Sequence, residues 1–129
     1  MKIAAGVDIV EIDRVRSLVE KYLSDPALER IFHKDEIAYC ISKGRLSMES
    51  FAARFAAKEA VAKALGTGFG EKCLWNEIII KNDDAGAPYV ELTGTTKKTF
   101  EEQKGKDLSL SVSHCKDYAV AMVVFLKGG

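Results

Sequence analysis

Phe51-Ala-Ala-Arg-Phe-Ala-Ala-Lys-Glu-Ala-Val-Ala-Lys-Ala-Leu-Gly-Thr-Gly68 reads as one long helix that stops at Gly66, a left-handed C′ position. Alanine is the best helix former, so the run favours helix without help from neighbours. Its small side chains also let another backbone or a ligand approach closely. Among the alanines stand the charges Lys58, Glu59 and Lys63. Glu59 and Lys63 are four apart and share a face with Ala52 and Ala56. On most helices such a pair is a solvated salt bridge worth a few tenths of a kcal/mol. Here nearly every neighbour on that face is apolar, which argues against solvation. A carboxylate and an ammonium on a smooth alanine surface suit a metal and a phosphate.

A second acid sits in an equally apolar setting. Residues 3–12, Ile-Ala-Ala-Gly-Val-Asp-Ile-Val-Glu-Ile, read as a mostly buried strand rich in β-branched residues. Asp8 interrupts it, on the same side as Gly6 and Val10 and opposite Val7 and Ile9. An unpaired buried carboxylate is costly. Asp8 therefore either faces water at a sheet edge, accepts backbone N–H bonds, or meets a cation. Gly6 beside it leaves room for something to approach that face. Two carboxylates completed by water and phosphate oxygens make the octahedral oxygen site that magnesium prefers.

At 129 residues the chain is expected to form a single domain, residues 1–129, with a real core. Lys plus Arg equals Asp plus Glu at 19 each, so bulk charge gives no sign of a nucleic-acid binder. No apolar run approaches the ~20 residues of a membrane span, and the first residues do not read as a signal peptide. A cytoplasmic location is expected. Cys40, Cys73 and Cys115 form no Cys-x-x-Cys pattern, which argues against structural zinc, and are expected to be small apolar fillers.

Along the chain, Asp13 is the expected N-cap of a helix running to about residue 23, with Val15, Leu18, Val19 and Tyr22 at helical spacing. Short helices follow from Pro26 and over residues 35–41. Lys43-Gly-Arg45 is a basic turn, and Ser47 is a candidate cap for the long helix. Residues 74–81 turn β-like and pair back through Asn82-Asp-Asp-Ala-Gly-Ala-Pro88 with residues 89–92 as a hairpin. A helix over residues 95–103, closed by Gly105, precedes strands over residues 107–114 and 118–126. The order β-α-α-α-β-β-α-β-β predicts an α+β fold, with helices including the long Ala-rich one packed on a largely antiparallel sheet.

At about 100° per residue, Glu59 and Lys63 lie within about 40° of each other, whereas Arg54 lies about 140° from Glu59. Arg54 is then either a surface or snorkelling arginine, or serves a site on an adjacent copy. Gly66-Thr-Gly68 follows its helix, at the negative end, so it is not a phosphate loop of the Walker A kind. Lys63, one turn earlier, would have to supply the positive charge.

Together these segments resemble the short bacterial 4′-phosphopantetheinyl transferases, the holo-[acyl-carrier-protein] synthase family. Gly6-Val-Asp-Ile-Val-Glu-Ile12 is similar to the family's first signature, and Arg54-Phe-Ala-Ala-Lys-Glu-Ala60 with Lys63-Ala-Leu-Gly-Thr-Gly68 to its second. Gly86-Ala-Pro88 and Ser111-Val-Ser-His114, followed by Tyr118-Ala-Val-Ala121, match weaker features in order. The resemblance implies transfer of the 4′-phosphopantetheine arm of coenzyme A to a serine of apo acyl carrier protein, by a homotrimer with active sites between subunits. It implies Asp8 and Glu59 as magnesium ligands and Lys63 near the pyrophosphate. It implies Arg54 and His114 of the neighbouring copy near the 3′-phosphate, with Gly66 and Pro88 also on the coenzyme A side. The proton acceptor stays open among Glu59, Asp8 and a water at the metal. His114 shares strand parity with Leu110 and Val112, so a core histidine is the competing reading.

Two other readings compete. A non-catalytic coenzyme A or nucleotide-binding module would keep the pocket without the full set of Asp8, Glu59 and Lys63. A scaffold for acidic proteins would use Arg14, Arg16 and Lys21, the basic face of the helix that follows the Asp8 strand. In the transferase reading the same three residues dock the acidic carrier protein.

Overall fold

The architecture follows from the Ala-rich segment, which in a computed structural model describing residues 1–128 forms a helix buried nearly all round. We label the elements in chain order: β1 (Lys2–Glu11), α1 (Ile12–Tyr22), α2 (Lys34–Ser42), α3 (Ser47–Leu65), β2 (Ile78–Asn82), β3 (Pro88–Leu92), α4 (Gly94–Glu102), β4 (Gly105–His114) and β5 (Tyr118–Lys127). Short 3-10 turns at Pro26–Arg30, Gly44–Leu46 and Trp75–Glu77 join them. Eleven side chains of α3 are buried, from Phe51 to Leu65, which marks a central core helix rather than an amphipathic surface one. Its end is the expected one: Gly66, at φ 75°, donates its N–H to Ala62 O and Lys63 O. Its start differs. The 3-10 turn runs straight into the helix, so Ser47 is its first helical residue and not its cap.

α3 lies on a three-stranded antiparallel sheet of order β1-β5-β4. β1 pairs with β5 from Lys2↔Lys127 to Glu11↔Tyr118. β4 pairs with β5 with a register shift between Lys106 and Ser109. The hairpin β2-β3 forms a second sheet, from Ile78↔Leu92 to Asn82↔Pro88. The fold is thus α+β and antiparallel throughout, in two sheets rather than one.

The inward face of β1 carries Ala4, Gly6, Asp8 and Val10, and β5 contributes Ala119, Ala121, Val123 and Phe125 to the same core. Gly6 is the point of closest approach. A Cβ there would fall 2.0 Å from Ala60 O and 2.7 Å from Ala64 N. What fills the space beside Gly6 is therefore α3 itself and not a ligand, and the alanines on both elements exist to let the two backbones meet. Gly6→Ala must push strand and helix apart along the row that carries Asp8 and Glu59. We expect a loss at or above the ~1–3 kcal/mol usual for overpacking, measured by chemical denaturation.

The outward face of β1 departs from the expectation of a mostly buried strand. Ile3, Val7 and Ile9 are 71%, 57% and 64% exposed, and Met122 of β5, paired with Val7, is 50% exposed. Other details also shift. Asp13 lies in the first turn of α1, whose N-cap is Glu11. The reversal after α4 falls on Lys104, at φ 54°, and not on Gly105, which begins β4. Cys40 and Cys73 are buried fillers as expected, but Cys115 is exposed in the β4–β5 turn.

Candidate active site

Two clusters of chemistry-bearing side chains lie on different parts of the chain. The first forms where β1 crosses α3. Asp8, on the inward face of β1, accepts a hydrogen bond from Lys63 Nζ at 2.9 Å, and Val7 O accepts from the same ammonium at 3.1 Å. Lys63 is therefore committed to Asp8 and not, as its i,i+4 spacing suggested, to Glu59. The bond to Asp8 holds the Lys63 ammonium above its ordinary pKa. Glu59, one helical turn earlier, is half-buried. Burial and the charge of Asp8 push its carboxyl above the ordinary value, while Lys63 and Arg14 pull it down.

The charge of Asp8 reaches the Glu59 carboxylate and opposes its ionisation, a repulsion that a divalent cation would relieve. Among the described residues no group of three or more His, Cys, Asp or Glu could hold a metal. A metal that takes most of its ligands from protein does not fit here. Magnesium, which keeps several waters and needs only one or two carboxylates beside substrate phosphates, does fit. Gly66 closes α3 one turn beyond Lys63 and is exposed on this side.

The second cluster is built around Arg54. It is neither a surface nor a snorkelling arginine, being 6% exposed. Its guanidinium lies 4.4 Å over the Tyr39 ring and donates to Ser50 Oγ at 3.2 Å and Asn82 Oδ1 at 2.8 Å. Arg54, His114 and Lys43 line one cavity of about 260 Å³, with Tyr39, Glu49 and Ser50. His114 is exposed at the end of β4, which removes the core-histidine reading. Pro88 pairs with Asn82 across the hairpin and so belongs to this side. Asp8, Glu59 and Lys63 do not line the cavity. Arg54 and Glu59 share a helix, yet serve separate neighbourhoods of their own chain.

Arg14 is exposed on α1 and lines a cavity of about 220 Å³ with Val10, Val15, Leu18 and Phe55. Its field reaches Glu59, which places it beside the first cluster. Lys21, seven residues on, shares its side of the helix, with its ammonium 5.3 Å from the Tyr22 ring. Arg16 does not. It lies about 160° around the helix from Arg14 and is hydrogen-bonded to Asp13 at 3.4 Å.

Sequence reasoning missed a buried ion pair that joins α3 to the elements behind the second cluster. Lys58 is fully buried, with Nζ 2.7 Å from Glu36 Oε1 and hydrogen bonds to Trp75 O at 3.0 Å and to Ile78 O. Three acceptors use all three ammonium protons. Burial lowers the Lys58 pKa and the Glu36 carboxylate opposes that shift. Glu36 also accepts from His33 N at 2.9 Å, completing the α2 capping box, and from Ile80 N at 3.0 Å. The pair ties α2 and β2 to α3. The only sequence signal was a lysine on a helix with apolar residues on every side.

Two carboxylates with a lysine are thus set apart on this chain from a cavity lined by Lys43, Arg54 and His114. The chain belongs to the 4′-phosphopantetheinyl transferase superfamily, whose family model matches residues 4–123. It is 42% identical over 128 residues to a holo-[acyl-carrier-protein] synthase of Ruminiclostridium cellulolyticum, covering 99% of this chain and 95% of that protein. The crystal structure of holo-[acyl-carrier-protein] synthase from Neisseria meningitidis superposes with a TM-score of 0.85 at 35% identity, covering 96% of this chain and 98% of the other. The Helicobacter pylori holo-[acyl-carrier-protein] synthase, solved in complex with coenzyme A, superposes with a TM-score of 0.81 at 34% identity, covering 95% and 99%.

Proposed function

We propose that the chain transfers the 4′-phosphopantetheine arm of coenzyme A to a serine hydroxyl of apo acyl carrier protein, releasing adenosine 3′,5′-bisphosphate. Residues 1–129 act as one transferase domain, in the cytoplasm, as a homotrimer with active sites between subunits. The observation that carries the catalytic reading is the convergence of Asp8, Glu59 and Lys63 from β1 and α3, with Lys63 Nζ 2.9 Å from Asp8. In the reaction the serine oxygen bonds to the phosphorus that carries the pantetheine arm. The P–O–P link to the adenosine bisphosphate breaks, and the serine proton leaves. Asp8 and Glu59 would hold magnesium, which when bound neutralises pyrophosphate charge as that link opens. Lys63 stabilises the departing phosphate. Arg54 and His114 of a neighbouring copy meet the 3′-phosphate.

The shared site is supported by the separation of the two clusters on one chain and by the outward face of β1 and β5. Ile3, Val7, Ile9 and Met122 are exposed on the outward face of this sheet, and a second copy would cover them. No described helix is long and apolar enough to cross a membrane. The transfer is tested by intact mass. An apo carrier protein incubated with coenzyme A and magnesium should gain about 340 Da, the mass of the arm. A binding module or scaffold would give no gain, and omission of magnesium should abolish it.

Carrier docking is assigned to the Arg14 side of α1, which lies nearest the carboxylates. Charge steering acts through encounter and weakens with salt. Arg14→Glu should raise the apparent KM for the carrier protein much more than that for coenzyme A, most clearly at low salt. Equal effects on both would place docking elsewhere.

A further inference from the structure

Arg54, read above as the base that meets the 3′-phosphate, does not hold its own position. Ser50, one of its hydrogen-bond partners, sits one turn earlier on α3 and moves with it. The other hydrogen-bond partner, Asn82, comes from outside the helix, at the end of β2. The Asn82 side chain is itself fixed, since Nδ2 donates to Gly86 O at 3.0 Å across the β2–β3 turn. With its amide N–H directed to a carbonyl, its Oδ1 is the atom that faces the guanidinium. β2 is anchored in turn by Ile80 N donating to Glu36, the partner of Lys58. A chain of contacts therefore runs from the core ion pair through β2 to one N–H of Arg54.

We propose that Asn82 is a positioning residue that aims the Arg54 guanidinium at the phosphate of the substrate. The inference rests on the reading of Arg54 given under the proposed function. A neutral acceptor suits the task. It holds one of the five guanidinium N–H groups without cancelling the charge, and others remain for a planar, bidentate grip on phosphate. A carboxylate at this position would grip Arg54 as an ion pair and compete with the ligand.

The test compares KM for coenzyme A and for dephospho-coenzyme A, which lacks the 3′-phosphate, in wild type, Asn82→Ala, Asn82→Asp and Arg54→Met. Asn82→Ala should raise KM for coenzyme A about tenfold, the weight of one hydrogen bond to a charged group, and leave KM for dephospho-coenzyme A unchanged. Asn82→Asp, which keeps the acceptor toward Arg54 but gives up the Nδ2–H bond to Gly86 O and adds charge, should raise it at least as far. Arg54→Met should erase the preference for coenzyme A. If both Asn82 variants raise the two KM values equally, or raise neither, Asn82 is merely structural and the inference is overturned. If Arg54→Met keeps the wild-type preference, the phosphate reading of Arg54 falls and this inference with it. If Arg54→Met loses the preference while both Asn82 variants keep it, the Asn82 inference alone falls.

Discussion

Lys58→Met should destabilise the protein by about 3–5 kcal/mol, the range found when one partner of a buried ion pair is removed. Lys58 and Glu36 are 0% and 1% exposed at the side chain, so solvent cannot replace the lost ammonium. The methionine fills the same space, so the cost is electrostatic and comes from a carboxylate left buried without its cation. Two backbone carbonyls, Trp75 O and Ile78 O, lose their donor at the same time. A Tm drop on the order of 10–20 °C should accompany it. The double variant Lys58→Met with Glu36→Gln should recover part of the loss, because the amide carries no charge, although its single oxygen can keep only one of the His33 and Ile80 N–H bonds, which use different carboxylate oxygens. Additive losses in the double variant would mean that the pair is not coupled.

Asp8→Ala and Glu59→Ala should each lower transfer by about 10²–10³-fold or more, the scale of losing a charge-stabilising group at a reaction centre. The fold should survive both. Asp8→Ala frees a lysine whose side chain is already 54% exposed, so no buried charge is stranded. Glu59 gives a sharper check with Glu59→Gln. Its folded pKa lies above the ordinary value, so the ionised form is the one the fold disfavours. Its contribution to stability is present at acid pH and is lost as pH rises from the ordinary value of 4.5 through the folded pKa. At neutral pH without divalent cation, Glu59→Gln should therefore match or exceed the wild-type Tm while being inactive. Magnesium should raise the Tm of wild type and of neither Asp8→Ala nor Glu59→Gln, since only a bound ligand stabilises the native state in this way. Near wild-type activity in both alanine variants would remove the two residues from the metal site.

Much of this was legible in the sequence because it is local. α3, its Gly66 end and the 82–88 turn follow from propensity, left-handed glycine and turn chemistry. Asp8, Glu59 and Lys63 stood out because each is a charge on an otherwise apolar face. What was not legible depends on partners far away in the chain. Lys58 meets Glu36 across 22 residues and Arg54 meets Asn82 across 28, and no periodicity encodes either contact. The loss of Lys63 to Asp8 is of the same kind, since the helix offered a nearer carboxylate in Glu59. β1 is apolar on both faces, and alternation shows that both faces avoid water without showing what covers them. Inside one chain only the Ala4, Gly6 and Val10 face is covered.

In the proposed assembly the carboxylate cluster of one copy and the Arg54 cluster of another complete a single site. Mixing two inactive variants tests it most directly. Arg54→Ala chains keep Asp8, Glu59 and Lys63, and Glu59→Ala chains keep Arg54, His114 and Asn82. After subunit exchange at equal amounts, about a quarter of head-to-tail interfaces should join two intact halves. Transfer, read as carrier-protein mass gain, should recover toward about that fraction of the wild-type rate. No recovery, with mixed oligomers demonstrated by native mass spectrometry, would contradict a site shared between copies.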